Sequence, residues 1–234
     1  MVMVGEIVYL CGMKIQIEDR IKEACPGYRL VKFEADVVNG PTPDELTKEI
    51  EQLCGSMREV MEIADINKRP GIAATRAVYK ACGKEPNRYR PSTEALCRRI
   101  VNGKDLYSVN AVVDAMNVLS IKSGYSVGAF DMDKIDGDTL SMGVGREGEP
   151  YEGIGRGELN VAGLPILRDR TGGVGTPTSD NERTKIDEGS SRLLVTVHIF
   201  GQEMEIDALI DECRRLLETY CGAENISVEI ITAG

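Results

Sequence analysis

The 234-residue sequence has no tryptophan, three phenylalanines and one histidine. With so few large aromatics, any core must be built from Ile, Val, Leu, Met and Ala. A hydrophobic content of 42% over this length suffices for one large domain or two small ones. A single histidine, His198, excludes a two-histidine zinc site and leaves one imidazole as a candidate base. The seven cysteines (Cys11, Cys25, Cys54, Cys82, Cys97, Cys213, Cys221) are odd in number, scattered, and free of C-x-x-C spacing. Neither a zinc cage nor a disulfide framework is indicated, no cofactor is implied, and a reducing cytoplasm is the expected setting. The opening MVMVGEIVYLCG is apolar but broken by Glu6, lacks a basic leader and is too short to span a bilayer, so no membrane association is expected. No G-x-x-x-x-G-K-[ST] or G-x-S-x-G motif occurs, and Gly153, Gly155 and Gly157 fail as a dinucleotide loop because Glu158 takes the last position and no helix follows. Catalytic residues are therefore unknown, and chemistry that needs only a positioned water is favoured.

What the chain does have is a segment from Gly143 to Ile186 with ten glycines among many Arg, Glu, Asp, Asn, Ser and Thr residues. Each interior glycine costs a helix about 1 kcal/mol relative to alanine, so this segment must be strands, turns and loops. It is either a binding region or a set of tight structural turns. The net charge is −10, yet ten basic residues face two acidic ones between Lys68 and Lys104, a local +8 against −18 for the remainder. Such polarity fits either a cationic patch for an anionic partner or a solvated helical face paired with the acidic remainder.

Periodicity predicts strands over MKIQI, Tyr28 to Val37, Leu193 to Phe200 and Ile226 to Ile231, the third with Leu193, Val195, Val197 and Ile199 on one face and Thr196 and His198 on the other. Helices are predicted from Pro43, from Pro70 to Cys82, from Ser92 (as cap) to Val101, after a Ser108 cap, and from Glu205 to Tyr220. The fold class is α+β, mixed sheets flanked by helices. In the helix after Ser108, Asn110, Asp114 and Asn117 share one face. Because an unsatisfied buried amide costs about 1 to 3 kcal/mol, the triplet either receives a ligand or tethers neighbouring loops.

In order, RYRPSTEALCRRI, SVNAVVDAMNVLSI, GAFDMDKIDGD and the glycine-rich segment resemble the editing domain of the bacterial phenylalanyl-tRNA synthetase beta subunit, its B-three/B-four unit. With PTSDNERT included, the chain is similar to free-standing bacterial proteins built on that domain. The likeness is strongest over 88–200, within a single domain spanning 1–234 that carries a strand-helix extension over 1–66. The family helix motif V-V-D-x-x-N is matched by Val112, Val113, Asp114 and Asn117, and A-F-D by Ala129, Phe130 and Asp131. The family domain hydrolyses tyrosine wrongly esterified to phenylalanine tRNA, so the resemblance implies tRNA or aminoacyl-tRNA as partner and deacylation in trans as the activity. The chain is too short, and lacks the motifs, for aminoacylation. Two positions depart from the pattern: Gly128 stands where the family has histidine before A-F-D, and Thr196 where it has the glutamate that recognises the tyrosine hydroxyl. His198 shares the Thr196 face.

The implied contacts are Arg88, Arg90, Arg98 and Arg99 for phosphate or pocket. Asn110, Asp114, Asn117, Gly128, Thr196 and His198 are implied for the substrate pocket, with Thr178, Ser179, Asp180, Glu182, Arg183 and Thr184 on its rim. Alternatively the arginines lock the loops by pairing with Glu147, Glu149, Glu152 and Glu158. Two other functions stay open: binding of a free amino acid or other small molecule without catalysis, and a carboxylate enzyme using Asp131, Asp133, Glu152 and Asp180.

Overall fold

The computed structural model describes residues 12–233, so the expectation for the opening segment lies outside the described residues. In chain order the elements are β1 (Lys14–Ile17), α1 (Asp19–Ala24), β2 (Arg29–Asp36), α2 (Asp44–Val60), α3 (Ile63–Ile66), α4 (Pro70–Ala81), α5 (Ser92–Val101), α6 (Ala111–Ser123), β3 (Ser126–Asp131), β4 (Thr139–Val144), β5 (Glu152–Gly153), β6 (Gly157–Glu158), β7 (Pro165–Arg168), β8 (Gly173–Gly175), β9 (Arg192–Ile199), α7 (Ile206–Tyr220) and β10 (Glu224–Thr232). The α+β expectation is met. An antiparallel sheet runs β10-β2-β9-β3, a mixed sheet runs β1-β4-β7-β8 with β1 parallel to β4, and β5-β6 is a separate hairpin.

Alternation along β9 sets the layers. Leu193, Val195, Val197 and Ile199 join Val31 and Phe33 of β2 against Val112, Ala115 and Leu119 of α6 and Leu209, Leu216 and Leu217 of α7. On the opposite face Leu194 and Phe200 meet Leu30, Leu140, Met142, Leu167 and Val174, so the mixed sheet closes that side. A strand buried on both faces is confined to one register, because a one-residue slip would exchange every contact.

A third cluster holds α2 to α6 together through Cys54, Met57, Ile66, Ile72, Cys97, Ile100 and Ile121. Two sequence-based caps are corrected here. Pro91, not Ser92, occupies the cap position of α5, and Ser92 is already helical. Asn110, not Ser108, caps α6, its side chain accepting from the Val113 amide. Ser108 is diverted because its hydroxyl donates to Asp114, which also accepts from Thr42.

The basic segment is organised around Glu94. This fully buried carboxylate pairs with Arg76 at 2.9 Å, Arg98 at 2.8 Å and Arg90 at 3.7 Å. Removing it leaves guanidinium groups without their counter-charge in the helical layer. Glu94→Ala is therefore expected to destabilise the protein by on the order of 3 kcal/mol. Urea unfolding read by circular dichroism checks this, with Glu59→Ala, at an exposed position, as the neutral comparison.

Candidate functional site

Strand β3 is an edge of the antiparallel sheet, and the N-terminal half of α6 does not fill the space beside it. A cavity of about 420 Å³ lies there. Val113 and Met116 of α6, Val127 and Ala129 of β3, and Ile154 and Ile186 from the loops form apolar walls; Asn110, Asn117, Asp180, Lys185, Asp187 and Glu188 bring polar groups to them. Its size and its mostly apolar lining with a few convergent polar groups are those of a small-ligand site.

Each polar group is held differently. Asn110 is committed as the α6 cap. Asn117 is half-buried and its side chain makes no protein hydrogen bond among the described residues, so its amide is available to a ligand. Asp180 reaches the cavity from the turn after β8, where its backbone bridges Gly175 and one carboxylate oxygen accepts from the Ala129 amide at 3.2 Å. Desolvation among apolar neighbours pushes its pKa up to about 7, against the smaller opposing effect of that amide. Asp187 is bound by Lys134, and Lys185 by Glu182. Glu188 is exposed at the mouth.

The remaining sequence candidates lie elsewhere. Asp114 is turned to a second, smaller hollow between α2 and the chain before α6. Gly128, Thr196 and His198 face the interior between the two sheets, on the opposite side of β3 and β9 from the cavity. A Cβ at Gly128 would stand 2.6 Å from the Phe130 ring tip, and one at Gly175 2.5 Å from it, so the ring fills the space that the two glycines vacate. Buried among them, the Thr196 and Ser126 hydroxyls have no partner. His198 is stacked near Tyr28, whose hydroxyl lies 2.8 Å from Nδ1. Burial lowers the His198 pKa to about 4 and raises that of Tyr28 well above the usual range, so the imidazole and the phenol are both neutral and share one hydrogen bond.

Most of the PTSDNERT side chains tie the loop itself. Thr178 bonds Tyr79, Thr184 donates to the Val174 carbonyl, Ser179 donates weakly to the Asp180 carbonyl, Glu182 holds Lys185, and Arg183 makes a bidentate pair with Asp169. Arg90 and Arg98 are held by Glu94 rather than by the glutamates of the glycine-rich segment, which corrects the loop-locking alternative; Glu149 pairs instead with Arg168. Arg88 and Arg99 have no carboxylate within 4 Å among the described residues. Arg99 lies 3.8 Å over the ring of Tyr107, which is 71% exposed. Of the four carboxylates weighed together, only Asp180 lines the cavity; Asp131 is engaged by Ser190 and Lys134, and Asp133 by Arg192.

The B3/4 domain model matches residues 74–209, more than half of the chain and all of α5, α6, β3, the glycine-rich segment and β9. The chain belongs to the B3/4 domain family. It is 33% identical over 98 residues to the phenylalanine--tRNA ligase beta subunit of Bartonella henselae, a stretch that covers 41% of this chain and only 12% of that protein. The crystal structure of an N-terminal fragment of the phenylalanyl-tRNA synthetase beta subunit from Pyrococcus horikoshii aligns with 91% of this chain and 50% of that one, at 11% identity and a TM-score of 0.46. No helix among the described residues is long and apolar enough to cross a membrane.

In this B3/4 domain, sequence reasoning did not anticipate Met116, Val127, Ile154, Lys185 and Glu188 as cavity residues. Ile154 gave a signal, since an isolated aliphatic residue between glycines has no core to join. Two expectations follow from the geometry. Placing histidine at Gly128 should be strongly destabilising because the new Cβ collides with Phe130, and the double variant Gly128→His/Phe130→Ala should recover part of the loss; thermal unfolding of the single and double variants checks this. Ionisation at the cavity has a definite sign. The folded-state pKa of Asp180 lies above its unfolded value, so its ionisation destabilises the fold fully above pH 7 and not at all below about pH 4. Asp180→Asn should thus melt higher than the parent at pH 8, with the gap closing towards pH 4. His198 acts oppositely, its depressed pKa removing stability as pH falls from about 6.5 to 4, so the variant should fall away on acidification more steeply than the parent.

Proposed function

We propose that this B3/4 domain binds aminoacyl-tRNA and hydrolyses a mischarged aminoacyl ester in trans. The observation that carries the reading is the cavity beside β3, with an aliphatic floor, an uncommitted Asn117 amide and a carboxylate at one wall, inside the region matched by the family. The aminoacyl side chain would lie on Met116, Val127 and Ile154. In the reaction, water adds to the ester carbonyl, the bond to the ribose oxygen breaks, that oxygen takes up a proton, and a free amino acid and uncharged tRNA leave. Such an ester is already activated, so orientation of the carbonyl and of one water by amide dipoles accounts for a large part of the needed acceleration. Asn117 is the group free to do this.

Binding of the nucleic acid is supported by the stacked pair Arg99 and Tyr107. Val109, on the cavity rim, is two residues from Tyr107, which limits their Cα separation to about 7 Å. An exposed ring under a guanidinium that has no carboxylate partner and is steadied by the Asp105 carbonyl is suited to stacking an unpaired base, worth about 1 to 3 kcal/mol. Arg88 and Lys104 add cationic charge in the same segment.

A panel of correctly and wrongly charged tRNAs tests the reading. Protein-dependent ester hydrolysis of at least one mischarged species is expected, slowed at least tenfold by Asn117→Ala. Tyr107→Ala should weaken tRNA binding by about 1 to 3 kcal/mol, and the binding should fall steeply with salt. Absence of hydrolysis across the panel, together with salt-insensitive tRNA binding, overturns it in favour of a small-molecule-binding domain.

A further inference from the structure

We infer that the outer edge of β10 pairs with the same edge of a second copy of this chain, antiparallel and about a two-fold axis at Ile230, so that the antiparallel sheet continues from one protomer into its partner. This surface is at the opposite edge of the sheet from the cavity beside β3, and the inference does not rest on the proposed function.

The sheet ends in β3 on one side and in β10 on the other. Strand β3 is covered by the bridge from Phe130 to Lys185, whereas no strand or bridge among the described residues lies against the outer edge of β10. Such an edge is a row of unpaired N–H and C=O groups, and exposed edges are commonly blunted with Lys or Pro. The nine residues of β10, ENISVEIIT, include neither. Which backbone groups face outward follows from the ladder with β2. The Ala233 amide donates to the Tyr28 carbonyl, one step beyond the opposed pair Thr232 and Arg29. By antiparallel alternation Ile231, Glu229 and Ser227 also turn their backbone groups to β2, and Val228, Ile230 and Thr232 turn theirs away.

The side chains decide the occupant and the register. A two-fold axis at Glu229 would set the two Glu229 carboxylates directly opposite, which is unfavourable. An axis at Val228 would draw in the irregularity between Glu224 and Ser227, where Asn225 has a φ of 54°. An axis at Ile230 avoids both. Val228 then faces the partner's Thr232, Ile230 faces the partner's Ile230, and each opposed pair exchanges two backbone hydrogen bonds. Ile230 is 45% exposed and lies outside the core cluster that takes in Ile226 and Val228, so the axis covers the least satisfied apolar side chain of the strand. Glu229 faces the partner's Ile231, and its charge is already met within its own protomer by Lys32 at 2.7 Å. The strand is thus complementary to its own reverse in shape and charge, which favours a second copy over an unrelated peptide. Because β3 is covered, pairing stops at two copies.

The test is sedimentation equilibrium of the full chain from low micromolar to several hundred micromolar concentration, with amide hydrogen exchange at both ends of that range. A reversible monomer–dimer equilibrium is expected, weak because a single strand pair makes a small interface. Ile230→Lys should raise the dissociation constant at least tenfold, since it sets two ammonium groups on the axis, while leaving the melting temperature of the monomer close to that of the parent. Val60→Lys, at an apolar position that is 80% exposed elsewhere, should leave the equilibrium unchanged. In the parent, which needs no variant to fold, the amides of Val228, Ile230 and Thr232 should exchange at least tenfold more slowly in the dimer than in the monomer. A monomer throughout the range, a dimer that Ile230→Lys does not weaken, or association beyond two copies overturns the inference. Slow exchange of the Ile230 amide already in the monomer means that the edge is occupied from within the same chain and overturns it as well.

Discussion

Burial of β9 on both faces is the constraint from which the site follows. Once Leu193, Val195, Val197 and Ile199 belong to the helical side and Leu194 and Phe200 to the mixed sheet, the central strand cannot shift and both neighbours are fixed. Strand β3 then stands at an exposed edge, a position that invites pairing with another chain unless something covers it. Here the bridge from Phe130 to Lys185 and the loop through Glu188 lie over it. Covering an edge with a loop rather than a strand leaves a gap towards α6, and the cavity is that gap.

The two sides of β3 have opposite fates for one reason. Residues 127 and 129 face α6 and line the hollow, while 126, 128 and 130 face the mixed sheet. On that second side two glycines, Gly128 and Gly175, admit the Phe130 ring between the sheets. A larger side chain at position 128 and the ring in its present place exclude each other. Gly128 and Phe130 therefore act as a matched pair, and the orphan hydroxyls of Ser126 and Thr196 mark a polar interior that this packing seals.

Legibility followed periodicity. Strand β9 and helices α2, α4 and α7 were readable because alternation and helical spacing are local properties, and the glycine-rich segment was readable as non-helical because backbone entropy is local too. Caps were less so: Ser108 and Asn110 are both acceptable caps, and only the hydrogen bond from Ser108 to Asp114 decides between them. Of the polar triplet, Asn110 and Asn117 reach the cavity and Asp114 does not, since one helical face is wider than one hollow. The partner of the arginines was illegible in a different way. Glu94 lies inside the basic segment itself, and its burial rather than its position in the chain makes it the hub.

Charge is therefore distributed in depth rather than along the chain. Within the basic segment the single buried carboxylate of Glu94 gathers Arg76 and Arg98, with Arg90 at its edge, and Arg88 and Arg99 have no carboxylate partner among the described residues, the latter lying on Tyr107 near the cavity rim. At the cavity the charges are mixed: Asp180 and Glu188 stand at the walls with Lys185, which Glu182 engages, and with Asp187, which Lys134 holds. On the proposed reading, the phosphates of a nucleic acid would meet the cationic exterior while the cavity, its ionisable groups largely paired among themselves, would receive a small and mainly apolar group.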